Sequence, residues 1–242
     1  MVAMPFLPKI NFLWRVPLIV LAMVLLASVS VVSSLFDETG QSQHWCARAW
    51  GRFILWVSRV RVEVKGLEHL DPGRGYVFMP NHLSMFDHWA LLACLPVQFR
   101  FAAKASLFRV PFLGWHLLRA GNIPVDRHRP RRTLDAFGAF GEKIREGISL
   151  VIYPEGGRTW GGDLLPFKRG PFRMARQAGA PIVPITIVGA HRILARGSTI
   201  IYPGKMELIV HSPVEFAAYK DRSLEAVSRQ VRRIIERSYQ QV

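Results

Sequence analysis

The sequence predicts an α/β protein: a central, mostly mixed β-sheet flanked by helices, with two further helices ahead of it. Three observations lead there. From residue 61 onward short β-rich runs recur, helical stretches fall between several of them, and the first 60 residues hold two longer helical patterns instead. The expected strands lie at 62–64, 76–79, 99–103, 122–125, 149–153, 182–188 and 206–214. Expected helices lie at 87–95, 131–146, 171–178 and 224–239, the last with Leu224, Val227, Val231 and Ile235 on one face. The chain of 242 residues therefore divides into an N-terminal pair of helices, 1–60, and an α/β domain, 61–242, large enough to bury a substantial core. Asp71-Pro-Gly-Arg-Gly75 reads as a turn within the domain, and no internal repeat is present.

The first helical element, 17–36, has 20 residues and no charge. As a helix it would extend about 30 Å, close to the apolar thickness of a bilayer. Lys9 and Arg15 supply a basic start, but the apolar run is long for a signal peptide and no convincing cleavage site follows, so an anchor is expected. After a turn at Asp37-Glu-Thr-Gly40, the second element covers 45–60. At about 100° per residue it sets Arg48, Arg52 and Arg59 on one face and Cys46, Trp50, Phe53, Val57 and Val60 on the other. Such a helix is expected to lie in a membrane interface, its tryptophans near headgroup level. Positive-inside reasoning places the 48–65 side in the cytoplasm. Two arrangements satisfy this: one span with its N-terminus outside, or a helical hairpin dipping into one leaflet.

Composition favours anionic partners. Formal net charge is +15, from 32 Lys+Arg against 17 Asp+Glu. Half of the residues are hydrophobic, and mean hydropathy is +0.17. No zinc-ligand spacing, basic zipper or aromatic-rich RNA signature accompanies the charge, so an anionic membrane surface or a phosphorylated substrate is expected, and no nucleic acid. Cys46 and Cys94 are too few and too scattered for a disulfide framework, which fits a reducing compartment.

The chemistry-bearing residues follow the strands. In Asn81-His-Leu-Ser-Met-Phe-Asp87 a histidine precedes an aspartate by five positions on a strand-to-helix turn. The imidazole of His82 titrates near neutrality, and a carboxylate behind it can fix its tautomer and stabilise its protonated form, the parts of a general base. By itself this spacing also suits a packed histidine and a helix-start aspartate. Asp87 and His88 could suggest a metal, but no second ligand cluster lies nearby. Ser84 is expected to cap the following helix rather than to act as a nucleophile, and no Gly-x-Ser-x-Gly elbow is present. Arg127 closes Gly121-Asn-Ile-Pro-Val-Asp-Arg127, and Arg158 closes Tyr153-Pro-Glu-Gly-Gly-Arg158; guanidinium forks suit phosphate oxygens. Gly156 and Gly157 permit close backbone approach. Lys104, after the 99–103 strand, is a further phosphate candidate. The cluster 127–132 is either a solvated face or a contact for anionic headgroups, coenzyme A or acyl carrier protein.

In order along the chain, the His82–Asp87 run, the Arg127 run, the Arg158 run and Ala180-Pro-Ile-Val-Pro184 resemble the four blocks of the glycerolipid acyltransferases of the 1-acylglycerol-3-phosphate type. The resemblance covers roughly 75–190. It implies transfer of a fatty acyl group from acyl-CoA or acyl carrier protein to the sn-2 hydroxyl of a lysophospholipid acceptor, 1-acyl-sn-glycerol-3-phosphate, at the cytoplasmic face of a membrane. It implies His82 as base with Asp87, and Arg127, Glu155, Gly156 and Arg158 as acceptor-binding residues, with Glu155 meeting a glycerol hydroxyl or positioning an arginine. No metal or redox cofactor is implied, and the N-terminal pair is expected to form the hairpin. In the family the third block usually reads Phe-Pro-Glu-Gly-Thr-Arg, so Tyr153 and Gly157 depart from it. That departure leaves glycerol-3-phosphate, a lyso-ornithine lipid or another lysophospholipid as alternative acceptors. A non-catalytic module binding anionic membranes is the rival of a different class.

Overall fold

The seven β-rich runs pair into one sheet. The computed structural model describes residues 7–126, 130–160 and 162–240. Its strands are β1 Val60–Lys65, β2 Val77–Pro80, β3 Phe99–Lys104, β4 Ile123–Val125, β5 Ser149–Val151, β6 Ile182–Val188 and β7 Gly204–Val210, ordered β1-β7-β6-β2-β5-β3-β4. All neighbours are parallel except β6 and β7, so the sheet is mixed through a single antiparallel pair. Parallel pairing needs crossovers, and helices α3 Phe86–Cys94, α5 Pro130–Arg145 and α6 Arg169–Ala178 lie in them. A short α4, Leu113–Arg119, precedes β4, α7 Ala190–Ile193 and α8 Phe216–Tyr219 flank β7, and α9, Leu224–Gln240, ends the domain.

Strand alternation divides the core between the two faces of the sheet. Phe78, Val151, Val183, Ile185 and Ile187 point into a layer shared with α3, whose Phe86 and Leu91 join them. Val77, Met79, Leu150 and Ile182 point into the opposite layer, beneath Phe137, Phe140 and Ile144 of α5 and Phe172 of α6. Val227, Val231 and Ile235 of α9 complete that layer. Packing, not a lipid contact, accounts for that apolar stripe. Burying each such side chain stabilises by about 1.5–3 kcal/mol. Two strands stop earlier than expected, each two residues short of a proline. Ile152 still donates to Phe78 C=O (3.0 Å), and Pro154, with no N–H, then ends the β5 run. Pro213 interrupts the 206–214 run, leaving Val214 as an isolated bridge to Ile182.

The N-terminal elements are α1, Leu7–Ser33, and α2, Gln41–Val57. The turn between them is held by Asp37, whose carboxylate accepts from Thr39 N–H, Thr39 Oγ1, Ser42 N–H and Ser42 Oγ. Within α1, Trp14–Ser33 is by length and composition apolar enough to cross a membrane, and Leu18, Leu21, Leu25, Val29 and Val32 are exposed. The expectation that the apolar face of 45–60 lies in an interface is corrected. Cys46, Ile54, Leu55 and Val57 are buried, and α2 approaches α3 so closely that a Cβ on Gly51 would meet Trp89 O at 3.0 Å. Arg48 turns back to the Leu95 carbonyl, whereas Trp45 and Trp56 face outward. Helical amphipathicity cannot distinguish lipid from a protein core, because either buries the same stripe. Arg100 of β3 ties the hairpin to the sheet: buried, it donates to Phe99 C=O and, through its other terminal nitrogen, to Thr39 C=O in the α1–α2 turn (both 2.9 Å).

Candidate active site

The candidate residues collect at the carboxyl ends of β2, β5 and β6, where an open α/β sheet offers side chains from several loops to one cleft. Beyond Pro80, where β2 ends, Asn81 anchors the chain to β6. Its Nδ2 donates to Ile187 C=O (2.9 Å), and Ile187 N–H donates to its Oδ1 (2.7 Å). His82 follows. Its Nδ1 lies 2.8 Å from Asp87 Oδ2, in the first turn of α3. The same oxygen accepts from Leu83 N–H (2.7 Å) and Ser84 N–H (2.9 Å). Three donors on one oxygen favour the carboxylate, and an acceptor at that place assigns the histidine proton to Nδ1. The Nε2 lone pair is then left to take a proton.

Two further groups hold this turn. Ser84 Oγ donates to Leu194 C=O (2.7 Å) and accepts from Phe86 N–H (3.3 Å), so its hydroxyl proton is committed; the cap position falls on Met85, with no side-chain cap bond, and not on Ser84 as the sequence suggests. Glu155 was expected to meet the acceptor or an arginine; instead both its oxygens are taken by main chain. Oε1 accepts from His82 N–H (2.6 Å) and Oε2 from Leu165 N–H (2.8 Å). The carboxylate thus braces the backbone of His82 against the loop before α6. Tyr153 stacks on the His82 ring, centroids 3.9 Å apart, and His88 packs edge-on at 5.1 Å.

Burial dominates the electrostatics. It pushes the His82 imidazole below its ordinary value, helped by the charges of Arg158 and Arg196, so the ring is neutral at pH 7. Burial pushes the Asp87 carboxyl up, opposed by the Ser84 N–H, the neighbouring His88 and the Leu83 N–H. Glu155 is raised to about 7 for the same reason, against the pull of the Leu165 and His82 N–H groups. Among the described residues no group of three or more His, Cys, Asp or Glu side chains is placed to hold a metal.

The cations form the other wall. Arg158, half-buried on the loop after β5, acts on His82, Asp87 and His88. Gly156 has φ +69°, and a Cβ there would come within 3.1 Å of the Lys168 side chain, so the loop runs directly against that lysine. Arg196, after α7, donates to the Arg158 carbonyl. Lys104 is exposed at the carboxyl end of β3, two strands from β2 on the same edge of the sheet. Arg127 lies outside the described residues. His82, Asp87, Glu155, Gly156 and Arg158 are therefore brought together, with Lys104 on the same strand-end edge. Sequence reasoning missed Asn81, Lys168 and Arg196. Asn81 adjoins the histidine and was open to inspection; the two cations arrive from distant loops with no local signal.

Residues 61–188 match the family model described as Acyltransferase. Over 183 residues the chain is 33% identical to the chloroplast 1-acyl-sn-glycerol-3-phosphate acyltransferase BAT2 of Brassica napus, covering 74% of this chain and 53% of that protein. It is 32% identical over 183 residues to 1-acyl-sn-glycerol-3-phosphate acyltransferase alpha of Bos taurus, covering 74% and 63%. The chain spans about half the length of the curated plant relatives it matches. The crystal structure of the 1-acyl-sn-glycerophosphate acyltransferase PlsC from Thermotoga maritima superposes with a TM-score of 0.81 over 97% of both chains, at 20% identity, a likeness of fold.

Proposed function

The chain belongs to the Acyltransferase family, and from that premise we propose that it transfers a fatty acyl group from a thioester to the sn-2 hydroxyl of 1-acyl-sn-glycerol-3-phosphate, forming phosphatidic acid. The observation that carries this reading is the His82–Asp87 contact, which occupies Nδ1 and leaves Nε2 as the base. Nε2 takes the proton of the acceptor hydroxyl as its oxygen bonds to the thioester carbon. The tetrahedral intermediate collapses, the carbon–sulfur bond breaks, and the imidazolium returns the proton to the thiolate. Asp87 stabilises the imidazolium while it exists. Because the thioester is already activated, no covalent enzyme intermediate is needed.

The acceptor phosphate is assigned to Arg158, with Lys104 and Arg127 as further cations, since guanidinium forks suit phosphate oxygens in bidentate contact and a lysine adds a point charge. Glu155 serves as a positioning residue through the His82 N–H. The donor, acyl-CoA or acyl carrier protein, would arrive from the cytoplasm. The lipid acceptor would enter sideways from a leaflet in which the outward face of α1 rests, the net charge of +15 favouring an anionic surface.

Thiol release tests the proposal, with both donor types offered against lysophosphatidate, glycerol-3-phosphate, a lyso-ornithine lipid and a zwitterionic lysophospholipid. Lysophosphatidate is expected to stimulate release most. Stimulation by another acceptor alone would make the assigned substrate wrong, and no release with any acceptor would favour the non-catalytic membrane module.

A further inference from the structure

Arg196 lies outside all four sequence blocks, yet two contacts fix its head at the mouth of the site. Its guanidinium lies 4.2 Å above the ring of Trp160, and one terminal nitrogen donates to the main-chain carbonyl of Arg158. Gly197, at φ +82°, lets the chain pass close: a Cβ there would sit 3.2 Å from the Trp160 ring. Trp160 is itself exposed, so the platform carrying Arg196 opens to solvent rather than into the core.

No carboxylate approaches within ion-pair distance of Arg158 or Arg196 among the described residues, although seven ion pairs form elsewhere in them. Both arginines nevertheless act on His82. Two positive charges beside a buried imidazole repel any protonation of that ring, and an anion seated against them offsets this. The stack on Trp160 presets the plane of the Arg196 fork, so little side-chain freedom is lost when a ligand binds.

We propose that Arg196, held flat on Trp160 and tied to the Arg158 backbone, is a second guanidinium for the acceptor headgroup and selects a phosphomonoester, which carries two charges, over a phosphodiester. This rests on the acceptor reading above. Two guanidinium groups match the dianion in charge, whereas a zwitterionic diester would bring one negative charge and a cation into the same place.

The test is steady-state kinetics of the full chain in detergent or vesicles, wild type against Arg196→Gln and Arg196→Lys. For lysophosphatidate, Arg196→Gln is expected to raise the acceptor KM about tenfold to a hundredfold, as for loss of a charge-assisted hydrogen bond. The donor KM should stay level and kcat should change far less than the acceptor KM. Arg196→Lys, which keeps charge but loses the planar fork, should recover part of the affinity. An unchanged acceptor KM in Arg196→Gln would overturn the proposal. So would equal losses in donor KM, acceptor KM and kcat, which denote a merely structural role. If the wild-type protein does not use lysophosphatidate at all, the acceptor reading itself falls and this proposal with it; activity in wild type with an indifferent Arg196→Gln removes this proposal alone.

Discussion

The two walls around the His82 ring are built in opposite ways. On the carboxylate side nearly every strong contact is internal: Asp87 Oδ2 takes three donors, and Glu155 spends both oxygens on main-chain N–H groups. On the cationic side Arg158 and Arg196 stand without a carboxylate counterpart among the described residues. A buried carboxylate must find its donors during folding, because an unsatisfied one is expensive. A half-buried arginine at a cleft can keep water until a ligand replaces it. Apart from Asp87 Oδ1, which is buried without a partner among the described residues, the first wall is finished by folding, and on the proposed reading the second is left for the acceptor. Substitutions on the carboxylate side should reach turnover and stability, and those on the cationic side should reach affinity.

The sharpest way to break that contrast is His82→Ala. Loss of the base should lower kcat by about 10²–10⁴-fold in the thiol-release assay, with folding kept in circular dichroism. Full activity in a folded variant would remove the proposed chemistry. Next comes Asp87→Asn. The amide still fills the space and its oxygen can accept from the donors that converge on Asp87 Oδ2, but it carries no charge to stabilise the imidazolium, so kcat should fall about 10²-fold.

Glu155→Gln should cost less, about tenfold in kcat, because only the backbone anchor of His82 is weakened. It also carries a pH signature. In the folded chain Glu155 is raised from 4.5 to about 7, so the fold holds that proton more tightly than the unfolded chain does. Its contribution to stability is then fully present below about pH 4.5 and is lost as pH rises to about 7. Wild type should therefore lose stability relative to Glu155→Gln across that window in urea titrations, and a constant difference would deny the raised carboxyl. The smallest effect on turnover belongs to Arg158→Gln. It should raise the acceptor KM about tenfold or more while leaving kcat far less affected, and a kcat loss as large as that of Asp87→Asn would erase the distinction between the walls.

The fold was legible because its signals are local. Alternating apolar runs placed the seven strands, and 182–188 matched to the residue, since that run is apolar at nearly every position and bounded by a turn at each end. Helix α4, with seven residues, was missed because it is too short to show a period. The His82–Asp87 contact was legible because both residues lie on one turn. The use of Glu155 was not, because a carboxylate that holds main-chain N–H groups looks in sequence like one that holds a ligand. Neither was Arg196, whose meaning depends on Trp160, 36 positions away, being beneath it. Helix α2 was misplaced for a related reason: its partner, α3, is recognised only once the sheet has folded.

Arg100 reaching up to the Thr39 carbonyl has a practical corollary for anyone wishing to handle this protein without detergent. Deleting the first 60 residues would strip Ile54 and Leu55 from the central layer and strand a guanidinium that was folded against the lost turn. Recolouring the outward side of α1 instead, by polar replacements at Leu18, Leu21, Leu25, Val29 and Val32, leaves that joint whole. The greasy rod can be repainted, but it cannot be sawn off.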